Sequence, residues 1–136
     1  MQDNYYWFKL HWMKNISYHF DKEKNILVST ITNVLVIEDI INHYKLIEND
    51  ESLPRNLKVL IQGKDFMFDI KGPEIKSVSE YVISALSKYN SIKEAIVLEH
   101  SYSTAIGYIF EEGNKHKNYL FKVFSSKSSA QNWLNK

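Results

Sequence analysis

No cysteine occurs among the 136 residues, and arginine occurs once, at Arg55. The absence of cysteine excludes a disulfide framework, cysteine-based zinc sites and thiol catalysis. A single arginine limits bidentate recognition of phosphate or guanine to one position. The formal net charge is only +1, with acids and bases scattered along the chain, so the basic stripe of a nucleic-acid-binding surface is missing. The sequence therefore predicts no nucleic-acid binding.

Long apolar runs are missing as well. None approaches the ~20 residues that span a bilayer. The opening residues do not form a signal peptide, because no basic leader precedes an apolar run and Lys9 and His11 interrupt the aromatic part. No linker, repeat or low-complexity tract divides the chain. These absences predict one soluble domain, without a membrane span, in the reducing environment of the cytoplasm.

The first periodic pattern indicates a hairpin. Residues 15–20 alternate apolar and polar side chains with period 2, which is typical of a half-buried strand. A polar turn over 21–25 leads to a second, β-branched strand over 26–32. A helix over about 36–48 follows, since its apolar residues share one face: Ile37, Ile40, Ile41, Tyr44 and Ile47.

Strands and helices alternate from there. Strands are predicted over 57–61, 94–99 and 119–124, the middle one apolar on both faces as in an interior parallel strand. Pro73 suits the first turn of a helix that extends to about Tyr89, with a stripe of Ile75, Val78, Val82, Leu86 and Tyr89. A further helix is capped by Ser101 or Ser103, ends at Gly113, and carries a stripe of Tyr102, Ala105, Ile106, Ile109 and Phe110. The serines of "SSKSS" cap a last helix that carries Ala130, Trp133 and Leu134 against the sheet.

This pattern gives the order β-β-α-β-α-β-α-β-α. Strands that alternate with helices pair in parallel through right-handed crossovers, and the hairpin adds one antiparallel strand. The prediction is one α/β domain with a single mixed, mostly parallel sheet.

This order, with the stretches "LKVLIQG", "IKEAIVLEH" and "YLFKVFSSKSSAQNWL", resembles the SpoIIAA-like (STAS-like) domains of bacteria. The resemblance covers residues 13–136 and is most specific at the end, where Val123-Phe124 is followed by Ala130 and by Trp133-Leu134. It implies a mixed sheet wrapped by helices, with strands roughly in sequence order. The Asp-Ser-(Ser/Ala)-Gly phosphorylation motif of anti-sigma-factor antagonists is missing, since "QGKDFMFDIKGPEIKS" stands in its place. The resemblance therefore does not imply a kinase-controlled switch, and Ser77 lies within a predicted helix.

Two candidate sites follow from this topology. Ligands of parallel α/β sheets bind at the carboxyl ends of the strands, where helix N-termini favour anions. The first candidate is therefore a small-anion site at one sheet edge, made by Lys64, Asp65, His100, Ser101, Ser103, Thr104, Ser126 and Lys127. The second is an apolar pocket lined by Phe66, Phe68, Tyr102, Ile106 and Phe110, in which the Tyr102 hydroxyl would need a partner.

Three functions stay open. The leading prediction is a non-enzymatic SpoIIAA-like domain, without a cofactor, that binds a protein partner or a small ligand in a regulatory role. Because SpoIIAA-like proteins also resemble a class of lipid-binding folds, the second is a carrier of a lipid or another hydrophobic ligand. The third is a hydrolase built on His100 and nearby serines, although no Gly-x-Ser-x-Gly motif accompanies them. The five histidines show no metal-binding spacing, so no metal site is predicted.

Residues 1–12 lie outside the resembled module, which begins at Met13. They hold five aromatic residues, and Tyr6, Phe8, Leu10 and Trp12 share one side of a strand while Lys9 and His11 lie on the other. Either the native start is Met13, or this extension is a strand or arm that docks on the domain or forms a homodimer through residues 5–12.

Overall fold

A mixed five-stranded sheet lies at the centre of the computed structural model, which describes residues 15–136. Its strand order is β1-β2-β4-β6-β7, with β1 antiparallel to β2 and all other neighbours parallel. A separate two-stranded parallel sheet joins β3 to β5. The strands are β1 (Ile16–Asp21), β2 (Ile26–Ile31), β3 (Val34–Leu35), β4 (Asn56–Gly63), β5 (Met67–Phe68), β6 (Ser91–Val97) and β7 (Tyr119–Phe124).

Within residues 15–136, four α-helices cover the sheet. They are α1 (Ile37–Asn49), α2 (Ile75–Ala85), α3 (Ser101–Gly113) and α4 (Lys127–Leu134), with short 3-10 turns at Gly72–Glu74 and Leu86–Lys88. The α/β class, the mainly parallel mixed sheet and the order of the main elements are confirmed. The small β3–β5 sheet was not predicted, because two-residue strands leave no periodic signal.

The helices α1, α2 and α3 pack on one face of the sheet, and α4 packs on the other. The larger core joins sheet residues such as Ile61 and Ile96 to helix residues such as Ile47, Val82 and Ile106. A smaller core lies beneath α4, formed by Ile26, Leu60, Ala95, Val97, Ala130 and Leu134. Because two helical layers enclose the sheet, its strands β4 and β6 are buried on both faces, as parallel strands usually are.

The helical stripes are confirmed to different degrees. All five residues of the predicted α2 stripe are buried. In α1 the fully buried residues are His43, Tyr44 and Ile47, while the predicted Ile37, Ile40 and Ile41 are only partly buried. Trp133 is partly buried, and its ring centroid lies 5.5 Å from that of Phe124.

The predicted face of α3 is partly wrong. Tyr102, Ala105 and Ile109 are exposed, and the buried residues are Ser103, Ile106 and Gly107. The inward face uses small residues because the helix lies close to the sheet: a Cβ on Gly107 would stand 2.6 Å from Leu98 Cδ1 and 3.1 Å from Val123 Cγ2. A search for hydrophobic residues alone does not find this inward face, because serine and glycine form part of it.

The predicted cap of α3 is also wrong. The N-cap is His100, which makes no side-chain capping hydrogen bond, and Ser101 is the first helical residue. The cap of α4 is confirmed, since the Ser126 hydroxyl accepts a hydrogen bond from the Ser129 N–H at 3.2 Å.

Candidate functional site

An apolar cavity of about 70 Å³ lies between the sheet and the three helices that cover it. Only carbon atoms form its accessible surface, and it is partly open to the exterior. Apolar cavities of this kind stay dry and bind apolar guests. Its walls include Ile61 and Ile96 of the sheet, His43 and Tyr44 of α1, Val78 and Val82 of α2, and Ile106, Gly107 and Phe110 of α3.

The loop before α2 closes one side of the cavity. Phe68 of β5 lines it together with Ile70. The Phe68 N–H donates to the hydroxyl of Ser103 at 3.1 Å, and the Tyr102 hydroxyl donates to the Ile70 carbonyl at 2.6 Å. These two hydrogen bonds hold the first turn of α3 against the β5 loop.

A histidine–serine pair lies at the α1 side of the cavity. The Nε2 atom of His43 and the hydroxyl of Ser29 are 3.1 Å apart, and both residues are fully buried. Burial lowers the pKa of His43 to about 3, so the imidazole is neutral at physiological pH. Its Nδ1 atom has no hydrogen-bond partner among the described residues. The pair is therefore a neutral polar contact in the core.

A buried carboxyl group lies on β6 in the same layer. The Oε1 atom of Glu94 accepts hydrogen bonds from the hydroxyls of Tyr44 at 2.8 Å and Tyr119 at 2.5 Å. Oε2 has no partner within residues 15–136. Burial raises the pKa of Glu94 to about 7, although the two tyrosine hydrogen bonds oppose the rise. Glu94 thus exchanges a proton near neutrality, and its partner Tyr44 is a wall of the cavity.

The structure brings together three of the five residues predicted to line an apolar pocket. Phe68, Ile106 and Phe110 line the cavity. Phe66 is buried but packs behind Phe68, with ring centroids 5.8 Å apart in an edge-to-face arrangement. Tyr102 lies outside the cavity and is 51% exposed, and the partner that its hydroxyl required is the Ile70 carbonyl.

The segments of the predicted anion site emerge at one edge of the sheet. The strands β4, β6 and β7 end level with one another, since Ile61 pairs with Ile96 and Val97 with Phe124. Ser103 does not share that surface because its side chain is buried beneath α3. The other seven residues are exposed or partly buried, namely Lys64, Asp65, His100, Ser101, Thr104, Ser126 and Lys127. No side-chain hydrogen bond or ion pair joins any two of them, so an anion site there stays a prediction.

Neither histidine arrangement has the parts of a hydrolase. The His100 side chain makes no hydrogen bond to Ser101 or to another residue of the described chain. In the Ser29–His43 pair the hydroxyl is fully buried, and no carboxylate from residues 15–136 orients the imidazole. No group of three or more histidine, aspartate or glutamate side chains within residues 15–136 is arranged to hold a metal ion.

Sequence reasoning missed the polar groups of the core. The apolar pattern places Glu94 within an interior strand, and a carboxylate within such a run is itself a signal, because buried acids require hydrogen-bonding partners. His43 lies between Ile40 and Ile47 on the inward face of α1, and its spacing could have placed it there. Their partners come from distant parts of the chain, and no local pattern predicts those.

No family model and no curated protein matches the sequence. The chain is similar to a crystal structure of an uncharacterised DUF3478-family protein from Shewanella loihica PV-4, which is described as having a SpoIIAA-like fold. The superposition covers 88% of this chain and 94% of that chain, with a TM-score of 0.55 and 15% sequence identity. No helix within residues 15–136 is long and apolar enough to cross a membrane. At this identity the likeness concerns the fold alone, and the fold is SpoIIAA-like, as the sequence resemblance predicted.

Proposed function

We propose that this chain is a non-enzymatic binding domain whose ligand places a small apolar group in the cavity beneath α3. The cavity is the observation that carries the proposal. It lies between three helices and the carboxyl halves of the central strands, and small-molecule sites are concave and mostly apolar. Predicted pocket residues from the β5 loop and from α3 meet there, since Phe68, Ile106 and Phe110 all line it.

The chemistry of the walls defines the class of ligand. Because only carbon atoms are accessible, the buried part of the ligand must be hydrocarbon, and a polar group placed there would lose its hydrogen bonds to water. Dry cavities of roughly 150 Å³ bind benzene. A volume of about 70 Å³ suits the last few carbons of an alkyl chain. Since the cavity is partly open, a polar head group would stay outside.

Catalysis has no comparable support. Acyl transfer requires a reachable nucleophile, a base and donors for an oxyanion. Ser29 and His43 form the only serine–histidine side-chain hydrogen bond in the described chain, and both are sealed in the core. Because Ser29 and His43 cannot reach a substrate, this pair gives no support for acyl transfer.

A regulatory role through a protein partner is supported by a different surface. Tyr108 and Ile109 on the outer side of α3 are 51% and 49% exposed, and apolar side chains exposed together are typical of protein interfaces. This surface faces away from the cavity, so a ligand inside could alter a partner outside only by moving α3. If the cavity binds nothing, this surface becomes the better supported site.

Titration with straight-chain carboxylates from butanoate to decanoate tests the proposal. We expect methyl NMR shifts at Val78, Val82 and Ile106. Affinity should rise with chain length, by about 0.8 kcal/mol for each buried CH₂, until the last few carbons fill the cavity, and should then level off. The double variant Val78→Leu, Val82→Leu adds two methylenes to the cavity and should lose the shift at Ile106, the reporter that it shares with the native chain. The control Val97→Leu adds one methylene on the opposite face of the sheet and should keep the shifts at Val78, Val82 and Ile106. Shifts that are absent in the native chain, or an Ile106 shift that is unchanged in the double variant, would refute the proposal.

A further inference from the structure

An exposed apolar patch lies beside the small sheet. Val34 of β3 and Met67 of β5 are register partners, and their side chains are 47% and 44% exposed. Tyr102 is also exposed, and its hydroxyl donates to the carbonyl of Ile70, three residues after Met67. We call Val34, Met67 and Tyr102 the β3–β5 patch. Large apolar side chains grouped in this way are usually covered by another segment or another molecule.

The patch has an open strand edge next to it. On one side β3 pairs with β5, since the carbonyls of Asn33 and Leu35 accept from the N–H groups of Met67 and Asp69 at 3.0 and 2.9 Å. Alternate residues of a strand direct their backbone groups to opposite sides, so the N–H and C=O of Val34 face away from β5. Among residues 15–136, no strand pairs with that side. An unpaired edge beside an apolar surface is a site where added chain can dock.

The chain enters the described structure at this same place. The Asn15 carbonyl accepts from the Thr32 N–H at 2.9 Å, two residues before β3. The Asp39 carboxylate, bonded to the Asn15 side chain at 3.4 Å, also accepts from the N–H of Val36 just after β3 at 3.0 Å. Asn15 therefore lies near the start of β3 and is linked through Asp39 to the residue after its end. Trp12 is three residues earlier, which limits its Cα to within ~11 Å of Asn15.

We propose that residues 5–12 of the same chain cover the β3–β5 patch. The short tether between Trp12 and Asn15 favours residues 5–12 of the same chain over those of a second copy, because a segment tethered beside its target docks at a high effective concentration. The segment brings the required side chains: Phe8 and Trp12 are four residues apart, a spacing that puts them on one side of a strand and of a helix alike. Lys9 and His11, on the other side of a strand, would face solvent.

Two full-length variants test this docking. Phe8→Ser combined with Trp12→Ser should speed amide hydrogen exchange at Val34 by at least about tenfold, because it exposes the open edge. The matched control, Lys9→Ser with His11→Ser, should leave the Val34 rate unchanged. Exchange at Ala95 in β6 reports on the global fold and should stay the same in both variants. Equal exchange in the two variants would overturn the proposal.

A reciprocal experiment tests the same contact from the patch. Met67→Lys should shift the indole N–H resonance of Trp12, whereas Leu120→Lys, at a comparably exposed residue on the edge strand β7, should not. The Met67→Lys shift should be independent of protein concentration. A shift that disappears on dilution would instead assign the patch to a second copy of the chain and refute docking within one molecule. An unshifted Trp12 resonance would refute it as well.

Discussion

Glu94 is a carboxyl group in an otherwise apolar layer, and its proton is linked to the stability of the fold. Its side chain is fully buried, and burial raises its pKa from 4.5 to about 7. A group with a raised folded-state pKa contributes stability that is fully present below its unfolded pKa and is lost as pH rises through the folded pKa. The window for Glu94 is therefore about pH 4.5 to 7.

His43 changes the stability of the fold with pH in the opposite direction. Burial lowers its pKa from 6.5 to about 3, so its contribution is fully present above pH 6.5 and is lost as pH falls through 3. Between about pH 4.5 and 6.5 the two effects oppose each other. The stability of the native chain should therefore change little in that range as far as these two residues are concerned.

Replacing Glu94 removes its pH-dependent contribution to stability and leaves that of His43. We expect Glu94→Gln to gain stability relative to the native chain as pH rises from 4.5 to 7, by about 3 kcal/mol in all, since one pKa unit corresponds to about 1.4 kcal/mol. The glutamine oxygen can still accept hydrogen bonds from the Tyr44 and Tyr119 hydroxyls, and glutamine has nearly the same size as glutamate, so the packing is kept. Urea unfolding at each pH measures the difference. A difference that does not vary with pH would show that Glu94 titrates normally in the folded chain.

At the scale of elements, the backbones of β2 and β4 come so close at one end that a side chain does not fit between them. Gly63 ends β4 beside Ile31 of β2, and a Cβ at this position would stand 2.2 Å from the Ile31 carbonyl oxygen. That atom belongs to the backbone and cannot move without disturbing the sheet. The end of β4 therefore requires glycine for reasons of space.

A pair of alanine substitutions tests this requirement. Gly63→Ala should destabilise the fold by at least about 2 kcal/mol, because overpacking forces the strands apart. Gly113→Ala is the control: a Cβ there meets nothing within 4 Å, and alanine in the last turn of α3 should change stability by no more than about 1 kcal/mol. Thermal melts of both variants measure the contrast. Equal melting temperatures would contradict the predicted crowding at Gly63.

Periodicity explains which elements the sequence could predict. The α2 stripe from Ile75 to Tyr89 and the alternation of β1 were predicted because apolar residues there follow one period and face one core. The inward face of α3 was misplaced because contact with the sheet depends on Ser103 and Gly107, which carry little hydrophobic signal. The strands β3 and β5 were missed because two residues hold no period.

At the scale of the whole molecule, the cavity is a product of assembly. Its walls come from the sheet, three helices and the β5 loop, and its volume is what these elements leave unfilled. The buried hydrogen bonds near it join residues that are 50 apart in sequence, as in Tyr44 and Glu94, or 25 apart, as in Glu94 and Tyr119. The topology that brings such residues together could be predicted, but the fit of their side chains could not, because packing depends on every neighbour at once.

Crystals of the native chain held under xenon pressure test the central claim most directly, since xenon enters dry apolar cavities without specific polar contacts. We predict one ordered xenon atom between Val82 and Ile106, and none there in the Val78→Leu, Val82→Leu variant. A native crystal without xenon at that position would contradict the claim that the core of this fold receives an apolar ligand.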